Sequence, residues 1–160
     1  MRISLSLLAS VLLLASIALG VGVSKTPSPE AQAIRSLVDE YARYCQEKDL
    51  EGMGRIFANS PDTIMISATG PRVTMGWNMI TAGYRSFFQN VTNFKTEFAI
   101  HTVKVFAGGK AACLTAHQEA TMTVNSNPVA FKNVRMTWLL EKSEGQWRIV
   151  NAHWSVAQRP

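Results

Sequence analysis

The sequence has few of the residues that build metal centres and disulfide frameworks. Cysteine occurs twice in 160 residues. Even without the N-terminal segment described below, about 140 residues remain, and a chain of that length can bury a core without disulfide bonds. The three histidines, His101, His117 and His153, show no H-x-H or H-x-x-x-H spacing. Because metal sites are recognised from sequence by such spacing, we predict no metal site.

Motifs for phosphate binding and for a serine nucleophile are also missing. Gly52-Met53-Gly54 has no preceding strand and no later glycine, so it does not make a nucleotide-binding loop. No Gly-x-Ser-x-Gly elbow occurs. We therefore predict no cofactor.

The sequence also lacks a run of like charges. The formal net charge is +5, but the lysines and arginines are scattered along the chain. Nucleic-acid binding needs a clustered basic footprint. We therefore predict no nucleic-acid partner and interpret the excess charge as a feature of a soluble surface.

Residues 1–20 have the pattern of a secretory signal peptide. Arg2 gives a positive start, Ile3–Leu19 is apolar apart from four serines, and Ala18-Leu19-Gly20 places small residues at the usual cleavage positions. We predict a secreted or periplasmic protein with no membrane association after cleavage. A retained anchor is the alternative, because the apolar run is near the lower limit for a membrane span.

The two cysteines allow two interpretations. Export permits a disulfide between Cys45 and Cys113. Both residues lie in otherwise apolar segments, however, and free cysteine packs well in cores. We favour two buried thiols and leave the pairing open.

Hydrophobic periodicity predicts one domain over residues 29–157, after a linker over residues 21–28 that is rich in turn residues. Helices are followed by a meander of long strands, which predicts an α+β fold with helices gathered on one side of an antiparallel sheet. The predicted helices are Pro29–Lys48, Leu50–Phe57 and Met75–Asn90, and the long strands are Asn93–Phe106, Lys110–Val124, Val129–Lys142 and Gly145–Ser155.

The last two strands have apolar side chains on both faces, more than a sheet needs to pack its own helices. We predict that the face with Arg135, Thr137, His153 and Ser155 lines an internal pocket. The opposite face would be an exposed apolar patch in a monomer. A homodimer that buries this patch is therefore predicted. The residues of this predicted interface are Met136, Trp138 and Trp154.

Three motifs resemble a known family. They are D-L-E-G-M from Asp49, R-x-T from Arg135, and G-x-W-x-I-V-x-x-H-x-S from Gly145. They resemble the SnoaL-like branch of the nuclear transport factor 2-like superfamily and are similar to the association domain of calcium/calmodulin-dependent protein kinase II. The resemblance implies a cone-shaped, cystatin-like roll, in which a curved antiparallel sheet wraps around a long helix and encloses a pocket. It also implies dimers or larger assemblies that form through the sheet. The superfamily includes isomerases, cyclases, dehydratases and non-catalytic modules, so the fold alone does not give the reaction.

Arg135 and His153 are the leading candidates for chemistry. A buried guanidinium needs a partner, and its fork suits a carboxylate. The partner of Arg135 is either a ligand, as the resemblance to association domains implies, or a protein carboxylate such as Glu97 or Glu119. His153 is a candidate general acid or base because its reference pKa is near neutral; a hydrogen-bonded core histidine is the alternative.

The resulting functional prediction is a small-molecule binding domain. Its ligand is anionic or carbonyl-bearing, and the ligand-binding residues are Arg135, Thr137, His153, Ser155 and Tyr41. One alternative is an isomerase, cyclase or dehydratase that uses His153 as acid or base. The other is a non-catalytic assembly module.

Export can be tested on the protein made by its own host. The small residues that end the apolar segment predict a mature N-terminus near Val21. Mass spectrometry of the purified protein measures this terminus. An intact Met1 in the exported fraction would contradict the cleavage.

Overall fold

The computed structural model describes residues 27–68 and 73–156. The predicted signal peptide, residues 1–20, lies outside the described residues, as does most of the predicted linker. Among the described helices, none is both long and apolar enough to cross a membrane.

The described residues form three α-helices, one short 3-10 helix at Ala107–Gly109 and one six-stranded sheet, which confirms the predicted α+β class. The sheet is curved and unclosed, with the order β2-β1-β6-β5-β4-β3, and its pairs are antiparallel except for the parallel pair of β1 with β6. The elements are α1 Pro29–Glu47, α2 Leu50–Ile56, β1 Ile64–Ile66, β2 Val73–Met75, α3 Trp77–Asn90, β3 Val91–Phe106, β4 Ala111–Val124, β5 Asn127–Ser143 and β6 Gln146–Ser155.

Polar caps set the ends of the first two helices. The Ser28 hydroxyl accepts a hydrogen bond from the Ala31 amide at 3.2 Å and so satisfies a free donor of the first turn of α1. Lys48 ends this helix in the left-handed conformation, with φ of 58°. Asp49 then caps α2 by accepting from the Gly52 amide at 2.8 Å. These caps explain why the sequence pattern located both helices to within one residue at each end.

The core lies between the helices and one face of the sheet, which we call the inner face. Trp138 and Met136 of β5 are almost completely buried there, and Tyr41 of α1 packs edge-on against Trp138 with ring centroids 5.1 Å apart. Trp154 of β6 is 7% exposed and stacks on Tyr41. The prediction that Met136, Trp138 and Trp154 form a dimer interface is therefore wrong, because one chain already buries all three.

A bulge in β6 explains part of this error. Leu139 pairs with Asn151 and Leu140 pairs with Ile149, so Val150 is an extra residue in β6. An extra residue reverses the alternation of side chains along a strand. Ile149 and Ala152 are consequently both buried, and the residues that alternate with Ala152 and Trp154 lie on the opposite, outer face. The predicted strict alternation of side chains between the two faces is therefore wrong for β6 beyond Val150.

A partly exposed ion pair joins the start of α1 to the hairpin of β5 and β6. Lys142 Nζ donates to both carboxylate oxygens of Glu30, at 2.8 and 3.0 Å, and the indole nitrogen of Trp147 donates to the same carboxylate at 2.8 Å. The hydrogen bond from Lys142 is the main cause of a lowered pKa for Glu30, and that from Trp147 is the second. Ionised Glu30 therefore ties together segments more than 100 residues apart in the chain.

The lowered pKa of Glu30 predicts how stability changes with pH. The unfolded chain binds the proton more tightly, so the contribution of Glu30 is present above the ordinary pKa of 4.5 and is lost as pH falls through the folded-state pKa. We expect Glu30→Gln to lower the melting temperature at pH 7 and to lose this effect in acid. Glu47→Gln, which removes an exposed pair with Arg43, is the control and should change little. An equal effect of Glu30→Gln at pH 7 and in acid would contradict the linkage.

Candidate functional site

A cavity of about 310 Å³ lies between the inner face of the sheet and helices α1 and α3. This volume is at the lower end of the range for small-molecule pockets. Its walls are mostly aromatic and aliphatic. The lining residues are Tyr41, Cys45, Met65, Ser67, Ala68, Gly83, Tyr84, Phe87, Phe94, Gln118, Ala120, Met122, Phe131, Val134 and Trp154.

Two tyrosines from different helices place their hydroxyls together at the cavity. The Tyr84 hydroxyl of α3 donates to the Tyr41 hydroxyl of α1 at 3.3 Å. Burial is the main cause of a raised pKa for both residues. Both hydroxyls therefore stay protonated near neutral pH. Since the Tyr84 proton is donated to Tyr41, the Tyr41 proton is the one that a ligand acceptor can receive.

Cys45 lies one turn along α1 from Tyr41 and completes the polar side of the cavity. Burial raises the pKa of its thiol to about 12, so the reactive thiolate is scarce near neutral pH. Cys113 is half-buried on β4, opposite Leu139 of β5, on the outer face. The sheet separates the two cysteines, and both are free thiols. The preferred interpretation of two buried thiols is therefore right for Cys45 and wrong about the burial of Cys113, which is intermediate.

Two further polar groups lie at the inner face. The side-chain amide of Gln118 donates to the Thr96 hydroxyl at 2.8 Å, and this hydroxyl donates to the Glu119 carbonyl at 3.1 Å, so Gln118 is held in place. The indole nitrogen of Trp154 is buried and has no hydrogen-bond partner within residues 27–68 and 73–156. An unpaired buried donor costs free energy, so a ligand acceptor or a water that reaches Trp154 would be stabilised there.

The cavity lining has no charged residue: among the described residues that form it there is no aspartate, glutamate, lysine, arginine or histidine. An unpaired ion is costly to transfer into apolar surroundings. The chemistry that this arrangement supports is therefore binding of an uncharged molecule by apolar contact, with hydroxyl and amide groups as directing partners.

The structure brings together four of the five predicted ligand-binding residues, but on the outer face. Arg135 pairs with Ser155, and Thr137 pairs with His153 across β5 and β6. Arg135 and His153 are exposed, and Arg135 donates to the Val156 carbonyl at 3.2 Å. The prediction that these four residues line the internal pocket is wrong, because the bulky apolar residues that alternate with them pack against α1.

Of the predicted set, Tyr41 alone lines the cavity. The ligand-binding roles proposed for the four outer-face residues stay a prediction, now for a surface rather than a pocket. Neither Glu97 nor Glu119 forms an ion pair with Arg135 among the described residues. The Arg135 guanidinium is instead bound by a backbone carbonyl, so the structural-pair alternative fails for these two partners.

Sequence reasoning missed the polar role of Tyr84 and the position of Cys45. Tyr84 occurs in the periodic apolar pattern of the third helix, and Cys45 in that of the first. The pattern therefore predicted their burial. It could not show that the two helices place Tyr41 and Tyr84 in contact, because these residues are 43 positions apart.

The comparisons with known proteins agree with this architecture. Residues 34–159 match the family described as the SnoaL-like domain. No curated protein matches the sequence.

Three solved structures illustrate the likeness of fold. A nuclear transport factor 2-like superfamily protein from Salmonella enterica is 21% identical, with a TM-score of 0.71, and the alignment covers 81% of this chain and 92% of that one. A protein from Xanthomonas campestris, assigned to the association domains of calcium/calmodulin dependent protein kinase II, is 19% identical, with a TM-score of 0.68 and coverage of 79% and 87%. A ketosteroid isomerase-like protein from Erwinia carotovora is 20% identical, with a TM-score of 0.67 and coverage of 83% and 100%. The TM-scores show a shared fold, and at identities this low they show the fold alone.

Proposed function

The chain belongs to the SnoaL-like domain family, and from that premise we propose that it binds a small, uncharged, carbonyl-bearing molecule in the cavity between sheet and helices. The observation that carries the proposal is the uncharged, largely aromatic cavity with the Tyr41–Tyr84 hydroxyl pair at its polar side. Such a pocket takes its affinity from apolar contact and its orientation from a few polar groups.

The hydroxyl pair favours a carbonyl group on the ligand. Both tyrosines keep their protons because burial raises their pKa. A carbonyl oxygen has two lone pairs and no proton, so it complements a neutral hydroxyl donor. The anionic half of the sequence-based prediction has no such support, since Arg135 lies on the outer face and no other cation lines the described part of the cavity.

Binding is a better match to this site than acid–base catalysis. A general base must come within hydrogen-bond reach of the proton that it removes. His153 is exposed on the outer face, and the described lining residues offer no carboxylate or imidazole in its place. The alternative that uses His153 as acid or base therefore lacks the geometry that it requires in this cavity.

A matched series of bicyclic probes tests the proposal. Tetralone carries a ketone, tetralin has the same rings without it, and 1-naphthoate carries a charge. We expect tetralone to bind best and naphthoate worst, because the cavity offers hydroxyl donors and no cation. Tyr41→Phe should weaken tetralone binding about fivefold, the value of one neutral hydrogen bond, and leave tetralin binding unchanged. Calorimetric titration measures all three constants.

The control variant is Tyr44→Phe. Tyr44 is also a buried tyrosine of α1, but it packs against Arg43 and Arg55 and is not among the cavity-lining residues. It should bind all three probes as the wild type does. Tightest binding of naphthoate, or loss of binding in Arg135→Ala, would contradict the proposal and support the anionic ligand.

We also propose export and a homodimer, with the interface moved to the outer face. Val73, Met75 and Leu139 are exposed large apolar residues. Strand register places Met75 beside Ile64, and Leu139 in the same row across β6. The simplest way to bury such an apolar face is contact with a second copy of the same chain.

The dimer proposal is tested by light scattering at micromolar concentration. We expect a dimeric mass for the wild type and a monomeric mass for Met75→Lys, since a charge would be buried without a partner. Met75→Leu is the matched control: it keeps an apolar side chain of similar volume at the same exposed position, so it should stay dimeric. A monomeric wild type would overturn the proposal.

A further inference from the structure

Two histidines that are distant in sequence meet on the outer face. His101 of β3 and His117 of β4 place Nε2 and Nδ1 2.6 Å apart, with ring centroids separated by 4.6 Å and ring planes at 83°. They are away from the cavity, on the opposite face of the sheet. From this pair we infer that the outer face has a binding site for a divalent late transition-metal ion, with Cu²⁺ as the best fit.

Strand register explains why the two rings meet. His117 pairs with Ala99, and His101 lies between the pairs Ile100–Ala116 and Thr102–Thr115, where β3 has one extra residue. A bulge of this kind re-aims a side chain. The rings are therefore fixed by two adjacent strands of a sheet, which holds ligands more rigidly than a loop does.

The two nitrogens are close enough for one ion to bind both. Two nitrogens that each lie about 2.05 Å from an ion are about 2.9 Å apart at a 90° angle and about 3.3 Å apart at a tetrahedral angle. The observed 2.6 Å is the length of a direct hydrogen bond, and a small separation of the rings brings the nitrogens to the first value. Square-planar or tetragonal coordination is typical of Cu²⁺ and Ni²⁺. To bind the ion, the ring that donates this hydrogen bond carries its proton on its other nitrogen instead, and the rings turn outward so that both lone pairs converge on the ion.

The ligand chemistry supports the same class of ion. Neutral imidazole suits copper, nickel and zinc, and affinity for a nitrogen site rises to Cu²⁺ in the divalent series. The described residues have no group of three or more histidine, cysteine, aspartate or glutamate side chains suited to a metal ion. The proposed site therefore has two histidine ligands, and water molecules supply the remaining ligands.

The charged side chains around the pair do not prevent a cation from binding. Arg135 is the register partner of His117, but its guanidinium donates to the Val156 carbonyl on the far side of β5. Two carboxylates offset the positive charge of Arg135. They belong to Glu97 and Glu119, which pair with each other in the next row of β3 and β4. The sequence-based prediction of no metal site relied on local spacing, and this pair is separated by 16 residues.

The test is a titration of the untagged protein with Cu²⁺ and then Ni²⁺, followed by calorimetry. We expect one site per chain, with Cu²⁺ tighter than Ni²⁺. His101→Ala and His117→Ala should each weaken binding by more than tenfold, since even changes behind a ligand cost about that much. Electron paramagnetic resonance of the Cu²⁺ complex should show coupling to two imidazole nitrogens.

The third histidine supplies a matched control. His153 is exposed on the same face but pairs with Thr137 and contacts neither member of the pair. His153→Ala should bind Cu²⁺ as the wild type does. The measurements are repeated with Cys113→Ser, so that the half-buried thiol cannot reduce the copper. Undiminished binding by the His101→Ala, His117→Ala double variant, or an equal loss in His153→Ala, would overturn the inference.

Discussion

The packing of α1 against the inner face of the sheet decides the remaining features of this protein. Tyr41 lies at the centre of that contact, with Trp138, Trp154 and Phe98 around its ring. Aromatic pairs in such edge-on and stacked arrangements add to the free energy of burying their area. Because these rings occupy the inner face, every polar residue that alternates with them along β5 and the end of β6 is placed outside.

This division gives the two faces of the sheet different chemistry. The inner face, closed over by α1 and α3, holds an uncharged cavity in which protonated tyrosines and a protonated thiol are stable, because burial penalises their charged forms. The outer face carries Arg135, all three histidines and several exposed apolar side chains. The sheet therefore separates the site proposed for a neutral molecule from the surface proposed for a metal ion and a second copy of the chain.

Proteins can share this fold without sharing the residues of the cavity or of the outer face. The relatives found by structure share about one fifth of their residues with this chain. What they have in common is a curved sheet around a helix, which only needs apolar residues of suitable size on one face. The function of this member therefore has to be argued from its own cavity and its own surface residues.

The sequence by itself determined the α+β class, the helix caps and the family, because apolar periodicity, Ser28, Asp49 and the final strand motif are local signals. It also determined that the last two strands have two unlike faces. Only the tertiary structure decided which face is inside. Both faces carry apolar residues, and the bulge at Val150 depends on pairing with another strand. The contacts of Tyr41 with Tyr84 and of His101 with His117 likewise join residues far apart in the chain, and no local pattern encodes them.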